Sequence, residues 1–297
     1  MTTKQQEEAL LYFREHAEDW KNKALLADQR KVNVIQQRNG FVLYVIKNRP
    51  TTKSTLDVGC GTGDLVCDIA RMGIDSTGLD FADEMIDVAR ARAEQEKLEK
   101  AHFYCSSIFD FDLTEKRYDV VSANGFIEYI SLDELDRFLD LSYQALNLGG
   151  SFVLGSRNRL FNIFSINSFT LEEINNGTVT LLLKEATVLA SGAILAELAG
   201  MDTAPLQKPN HEHTRTGIDV STRYQFTPAQ LTKMLKARGF TIKQLYPIHI
   251  HGVPPAFKEQ HPEIHTSISN LLQNYANDDT SLVPYSSSFM LHAQKER

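Results

Sequence analysis

Hydrophobic and polar positions along this chain switch between two periods, and the switching points lay out its elements. Leu10, Leu11, Phe13, Ala17, Trp20, Ala24 and Leu25 recur at helical spacing and predict an amphipathic helix over 4–27. A second helical run, 32–47, ends before Asn48-Arg49-Pro50, where proline cannot continue it. From there short apolar runs alternate with helical ones: strands at 54–58, 75–80, 101–106, 117–123 and 151–156, helices at 63–71, 83–99 and 131–145. Strands separated by helices are βαβ units. With two later strands, 240–250 and 287–294, they predict a doubly wound, mostly parallel, seven-stranded α/β sheet.

The rhythm breaks after Arg157. Residues 158–226 hold a polar-aromatic segment (Arg159-Leu160-Phe161-Asn162), an apolar run over 179–199, and a loop with Pro205, Pro209, His211 and His213. That is too long for a simple connection and predicts a partly helical lid insertion. Thr227-Pro228 then reads as an N-cap and first helical residue opening a helix over 228–238, which Gly239 closes. The expected division is a helical cap over 1–50, a cofactor-binding core over 51–157, a substrate lid over 158–226, and the rest of the core sheet over 227–297.

Composition narrows the class. Hydrophobic residues at 42% are ample for a packed core, and a net charge of −7 argues against a protein that tracks nucleic-acid phosphates. The three cysteines, Cys60, Cys67 and Cys105, lack metal-ligand spacing and read as small core residues kept reduced. The opening MTTKQQEEAL is polar and acidic, unlike a secretory signal, and no run approaches the ~18 apolar residues of a membrane span. The expectation is a cytoplasmic protein acting on a small molecule, with no nucleic-acid partner and an open oligomeric state.

Candidate chemistry centres on Leu56-Asp57-Val58-Gly59-Cys60-Gly61-Thr62-Gly63-Asp64, where a strand enters a glycine turn and a helix follows. Such a turn lets the backbone approach a small cofactor at the carboxyl end of the first strand. Asp80 ends the next strand, where a carboxylate can accept both hydroxyls of a ribose. Ser106-Ser107-Ile108 ends the third strand, where a small polar side chain can meet an adenine edge, and Asn124-Gly125-Phe126 ends the fourth beside the same crevice. A nicotinamide-dependent oxidoreductase would carry G-x-G-x-x-G, whereas this turn reads G-x-G-x-G.

On these residues the chain resembles the class I S-adenosylmethionine-dependent methyltransferase family, in its small-molecule branch, with a Rossmann-like core. LDVGCGTGD is similar to the family's first motif, GLDFADEMIDVAR to its second and YDVVSANGFIEYI to its fourth. The resemblance covers about residues 50–157, with the late helix and strands recognisable from 227 on. It implies S-adenosylmethionine as cofactor, with Asp57 in the first motif and Gly59, Gly61 and Gly63 against the methionine moiety and ribose. By the same resemblance Asp80 holds the ribose hydroxyls, Phe81 and Met85 flank the adenine, Ser107 and Ile108 border its edge, and Asn124 lines the sulfonium side. The family often has aspartate where Ser107 stands, and serine accepts a hydrogen bond less strongly. Leading helices often close over the cofactor in this branch, so Arg38 can meet its carboxylate, although a solvated helix arginine fits the sequence equally.

Methyl transfer is an in-line displacement in which the protein aligns the nucleophile and, for a hydroxyl, removes its proton. His211 and His213 in the insertion, with His249 and His251 at the end of a late strand, are the candidate bases. Spacing of two on a strand places both imidazoles of the second pair on one face. The same histidines can instead bind a divalent cation, but a hard cation prefers more carboxylates than this segment has, and no metal is expected; equally they can be surface or hydrogen-bonding histidines outside the chemistry. Arg157, Arg159, Arg215 and Arg223 flank the insertion as candidates for a phosphate or carboxylate of the acceptor, and Glu128-Tyr129 as residues that orient it. The expected reaction is transfer to a hydroxyl oxygen of a polar metabolite such as a nucleotide- or lipid-linked sugar. The apolar run over 179–199 points instead to an aromatic or polyketide-like acceptor, unless it forms the insertion's own core.

Overall fold

A computed structural model of the chain describes residues 4–16, 32–114, 116–192, 195–207, 224–277 and 279–296. Seven strands form one sheet: β1 Ser54–Val58, β2 Asp75–Asp80, β3 Ala101–Cys105, β4 Tyr118–Ala123, β5 Leu146–Arg157, β6 Phe240–Ile250 and β7 Ser286–Lys295. Their order is β3-β2-β1-β4-β5-β7-β6, and β7 runs antiparallel to both neighbours. Reversing β7 alone leaves β1 to β6 pointing the same way. Their carboxyl ends therefore share one edge, where open α/β sheets bind ligands.

The helices preceding the insertion are α1 Lys4–Glu15, α2 Val34–Lys47, α3 Asp64–Arg71, α4 Asp83–Gln95 and α5 Leu132–Ala145; α10 Pro228–Ala237 follows it. One face of the sheet packs on Leu135, Phe138 and Leu139 of α5 and Leu231 and Leu235 of α10. Phe41, Val42, Val45 and Ile46 of α2 and Leu65 and Ile69 of α3 meet Val120, Val153, Ile248 and Met290 of the sheet in a second cluster. Central β1 buries Thr55 to Val58 in succession, as a strand covered on both faces must. Capping boxes at Ser131/Glu134 and Thr227/Gln230 start α5 and α10, the second with the expected Pro228 at the first turn.

The doubly wound, mostly parallel seven-stranded sheet is the one predicted, and its differences from the expectation are local. Helix α1 is described to Glu15, and the rest of the expected 4–27 helix, Trp20 included, lies outside the described residues. Strand β5 begins at Leu146, before Gly149-Gly150, and runs through an irregularity there, with Gly149 left-handed at φ +71° and the register to β4 shifting before Ser151. Cys67 is buried as expected, but Cys105 ends β3 exposed.

The described part of residues 158–226 supplies a 3-10 turn Arg159–Phe161 and helices α6 Asn162–Ser165, α7 Ser168–Asn175, α8 Val179–Ala190 and α9 Leu195–Leu198. Helix α8 buries Leu182 and Leu189 in the main core, and Ala186 is buried too, so much of the apolar run serves packing. Residues 255–273, for which the sequence predicts nothing, form α11 Pro255–Gln260 and α12 Pro262–Gln273, each opened by proline. No described helix is long and apolar enough to cross a membrane.

Candidate active site

The glycine turn carries three left-handed residues: Gly59, Gly61 and Gly63 have φ of +71°, +52° and +75°. The amides of Gly59 and Cys60 donate to the carbonyl of Leu79 at 2.8 and 3.0 Å, which binds the turn to β2. A Cβ on Gly63 would lie 2.6 Å from the Phe103 ring and 2.8 Å from Ala89, so packing demands that glycine. A Cβ on Gly61 would meet no protein atom within 4 Å, because this residue faces a cavity.

That cavity, of about 570 Å³, lies at the carboxyl ends of β1 to β4 and falls within the size range of small-molecule sites. Its lining includes Arg38, Asp57, Gly59, Gly61, Asp80, Phe81, Met85, Ser107, Ile108 and Asn124. Of the predicted cofactor residues, Gly63 alone stands behind the lining, shaping the turn against Phe103. The sequence did not single out Ala9 and Phe13 of α1 or Val34 and Ile35 of α2, which close the cavity from above the sheet edge. Tyr12, beside them, is buried and stacks on His16 as a packing residue.

Asp80 is held rather than free. One of its oxygens accepts the Gly61 amide at 2.9 Å and the other the Ala82 amide at 3.0 Å, and each keeps lone-pair capacity for a ligand. Burial raises its pKa, opposed by those amides. Asp57 accepts the Ser122 hydroxyl at 2.7 Å. Burial pushes its pKa up to about 7, with the Ser122 bond opposing and the Asp80 charge adding to the rise. Two buried carboxylates on one cavity wall make a site for a cationic ligand. Asn124 gives its amide to Asn39 at 3.3 Å, while its buried Oδ1 has no partner. Ser107 accepts the Phe109 amide at 3.3 Å.

The far end of the cavity is more polar. Arg38 reaches the Ser288 hydroxyl at 3.0 Å and Glu128 at 3.5 Å, leaving its buried Nε without a partner. Glu128, Tyr129, Arg157, Ser287 and Ser288 line this end. The two serines were missed because only the antiparallel return of β7, which sets Ser288 opposite Arg157, brings them here.

Two expectations are corrected. His249 and His251 do not line the cavity; they sit with His265 in a buried cluster behind Ser287. Burial lowers the His249 pKa well below its usual value and takes His251 down to about 3, so neither is suited to accept a proton at neutral pH. Arg159 is 2% exposed and forms a two-pronged pair with Glu173, 2.8 Å on each arm, so it holds the insertion together rather than facing an acceptor. His211, His213, Arg215 and Arg223 lie outside the described residues.

Residues 55–150 match a family model described as a methyltransferase domain. The chain is 29% identical over 159 residues to a ubiquinone biosynthesis O-methyltransferase of Coxiella burnetii, an alignment covering 53% of this chain and 64% of that one. The chain thus spans less than two thirds of that relative's length. Among solved structures it resembles a magnesium protoporphyrin IX methyltransferase from Synechocystis PCC 6803 with TM-score 0.58 and 13% identity, covering 99% of this chain and 98% of that one. It also resembles the Burkholderia thailandensis 1,6-didemethyltoxoflavin-N1-methyltransferase, with TM-score 0.58, 14% identity and coverage of 100% and 92%. At such identities the likeness concerns the fold. The matched domain, the sheet order and the glycine turn with Asp80 agree: residues 55–150 form a methyltransferase domain, and these findings support a class I S-adenosylmethionine-dependent methyltransferase.

Proposed function

We propose that this chain transfers the methyl group of S-adenosylmethionine to a hydroxyl oxygen of a small polar acceptor. The observation that carries the reading is the cavity wall formed by Asp57, the glycine turn and Asp80. Its residues fit the cofactor chemically. Asp80 is fixed by two amides with lone pairs to spare for ribose hydroxyls, and Phe81 and Met85 supply apolar surface for the base. The Asp57 carboxylate and the unpartnered Asn124 Oδ1 suit an ammonium group beside a sulfonium. When bound, the cofactor supplies a methyl group already activated by its positive sulfur. What the chain adds is alignment and exclusion of water: α1 and α2 cover the cavity, and Arg38, bridging Glu128 and Ser288, ties α2 to the sheet edge.

Oxygen as the acceptor atom is supported by the relatives named ubiquinone biosynthesis O-methyltransferase. A polar acceptor is supported by Glu128, Arg157, Ser287 and Ser288 at the far end of the cavity, and by burial of the apolar run within the core. The acceptor class is tested by offering panels of glycosylated nucleotides, phosphorylated metabolites and catechols, and measuring S-adenosylhomocysteine release. Turnover on a polar hydroxyl compound supports the reading. Turnover confined to apolar aromatics assigns the chain the other acceptor class.

A further inference from the structure

A cluster that methyl transfer does not use lies at the carboxyl end of β6. His249 lies at the end of that strand, His251 directly follows it, and His265 comes from the first turn of α12. One nitrogen from each imidazole falls within 4.8 Å of the others. The Nε2 atoms of His249 and His265 are 2.9 Å apart, and the ring centres of His249 and His251 are 4.2 Å apart. All three side chains are at least nine-tenths buried, at 8%, 8% and 1% exposure.

Hydrogen bonding does not account for this arrangement. A proton between His249 and His265 satisfies one nitrogen of each, and the Ser287 hydroxyl, 3.2 Å from Nδ1, satisfies the other nitrogen of His249. Both nitrogens of His251 and Nδ1 of His265 remain buried without partners. Buried polar atoms of this kind are costly unless something satisfies them. The backbone at His249 is also held at φ +54°, a conformation that L side chains rarely adopt.

We propose that His249, His251 and His265 bind one transition-metal dication of the zinc class. Three neutral imidazoles converging on a point form a ligand set that such ions prefer, and a fourth position remains for water. Around such an ion adjacent ligand nitrogens stand about 3.3 Å apart, which small side-chain rotations from the observed spacing provide. Lys258 on α11 is the cation whose charge reaches all three rings, and burial lowers its own basicity.

With metal bound, His249 Nδ1–H donates to Ser287, the outer partner that ligating histidines usually have. Ser287 lines the cavity, so the ion fixes the wall at its acceptor end while α12 is tied to β6. The metal site stands apart from the cofactor assignment and holds whether or not that assignment does.

The test uses the untagged full chain, stripped with chelator and then offered Co²⁺ or Zn²⁺. We expect about one equivalent of metal per chain by elemental analysis, and visible Co²⁺ absorption of the intensity that low-symmetry nitrogen sites give. His251→Ala and the milder His265→Gln should each lose the bands and at least ten-fold in affinity, with circular dichroism reporting that the chain remains folded. His102→Ala, on exposed β3, should bind as the native chain does. Native protein that takes up no Co²⁺, or both cluster variants binding as tightly as native, would overturn the site.

Discussion

The two ends of the sheet edge reach a functional arrangement by different routes. At the cofactor end three glycines and two carboxylates lie within 24 positions of sequence, and a tight turn sets their geometry. At the other end His249 meets His265, Arg159 meets Glu173 and Ser288 meets Arg38, each brought together by tertiary structure. Damage to the cavity-facing residues of the first region should therefore act chiefly on the cofactor, and damage to the second on stability and acceptor selection.

The largest expected effect tests the second region. Arg159→Met leaves Glu173 buried with its charge uncompensated, which costs on the order of 3–5 kcal/mol. Chemical denaturation should show that loss while S-adenosylmethionine affinity of the folded fraction is unchanged. A variant of native stability with a raised KM for the acceptor would restore Arg159 to the binding site. Next, Gly63→Ala forces a Cβ to within 2.6 Å of Phe103 at positive φ, and a loss of about 2–4 kcal/mol combines strain and overpacking. Gly61→Ala keeps the strain without the clash, costing about 1 kcal/mol in stability. It should cut cofactor affinity by more than that, since its Cβ enters the cavity. Equal effects of Gly61→Ala on stability and affinity would remove that turn from the ligand contact.

The smaller effects are in pH. Burial pushes the Asp57 pKa up to about 7, and a cationic cofactor favours its charged form, so affinity should fall as pH drops below about 7. A flat affinity between pH 6 and 8 would separate Asp57 from the cofactor, on the standard that each pKa unit of linkage moves binding by up to about ten-fold. The histidine cluster acts on the fold. His251 and His265 have folded values of about 3 and about 4, below the unfolded value, so their contribution is present above about 6.5 and is lost as pH falls toward those values. Bound metal should deepen that acid loss, because protons compete for the ligand nitrogens.

The same contrast explains what the sequence made legible. Strand–turn–helix periodicity and left-handed glycines are local properties, so β1 to β4, the turn and Asp80 could be read directly. Strand spacing places His249 and His251 on one face, where they suit a base, but nothing local in the sequence says that α12 covers that face. Helix α12 escaped notice since Ile264 and Leu271 are exposed and blur its periodicity, although Pro262 at its first turn marked the start. Arg159 looked like a loop cation because its partner Glu173, 14 residues on, belongs to a helix whose packing the sequence does not specify.

The central claim, that the glycine turn and Asp80 hold S-adenosylmethionine, is tested most directly by calorimetric titration of that cofactor into the native chain and Asp80→Ala. The native chain should bind one equivalent. Losing a charge-assisted contact should weaken the variant ten-fold or more. No binding by the native chain, or the same affinity in both, would contradict it.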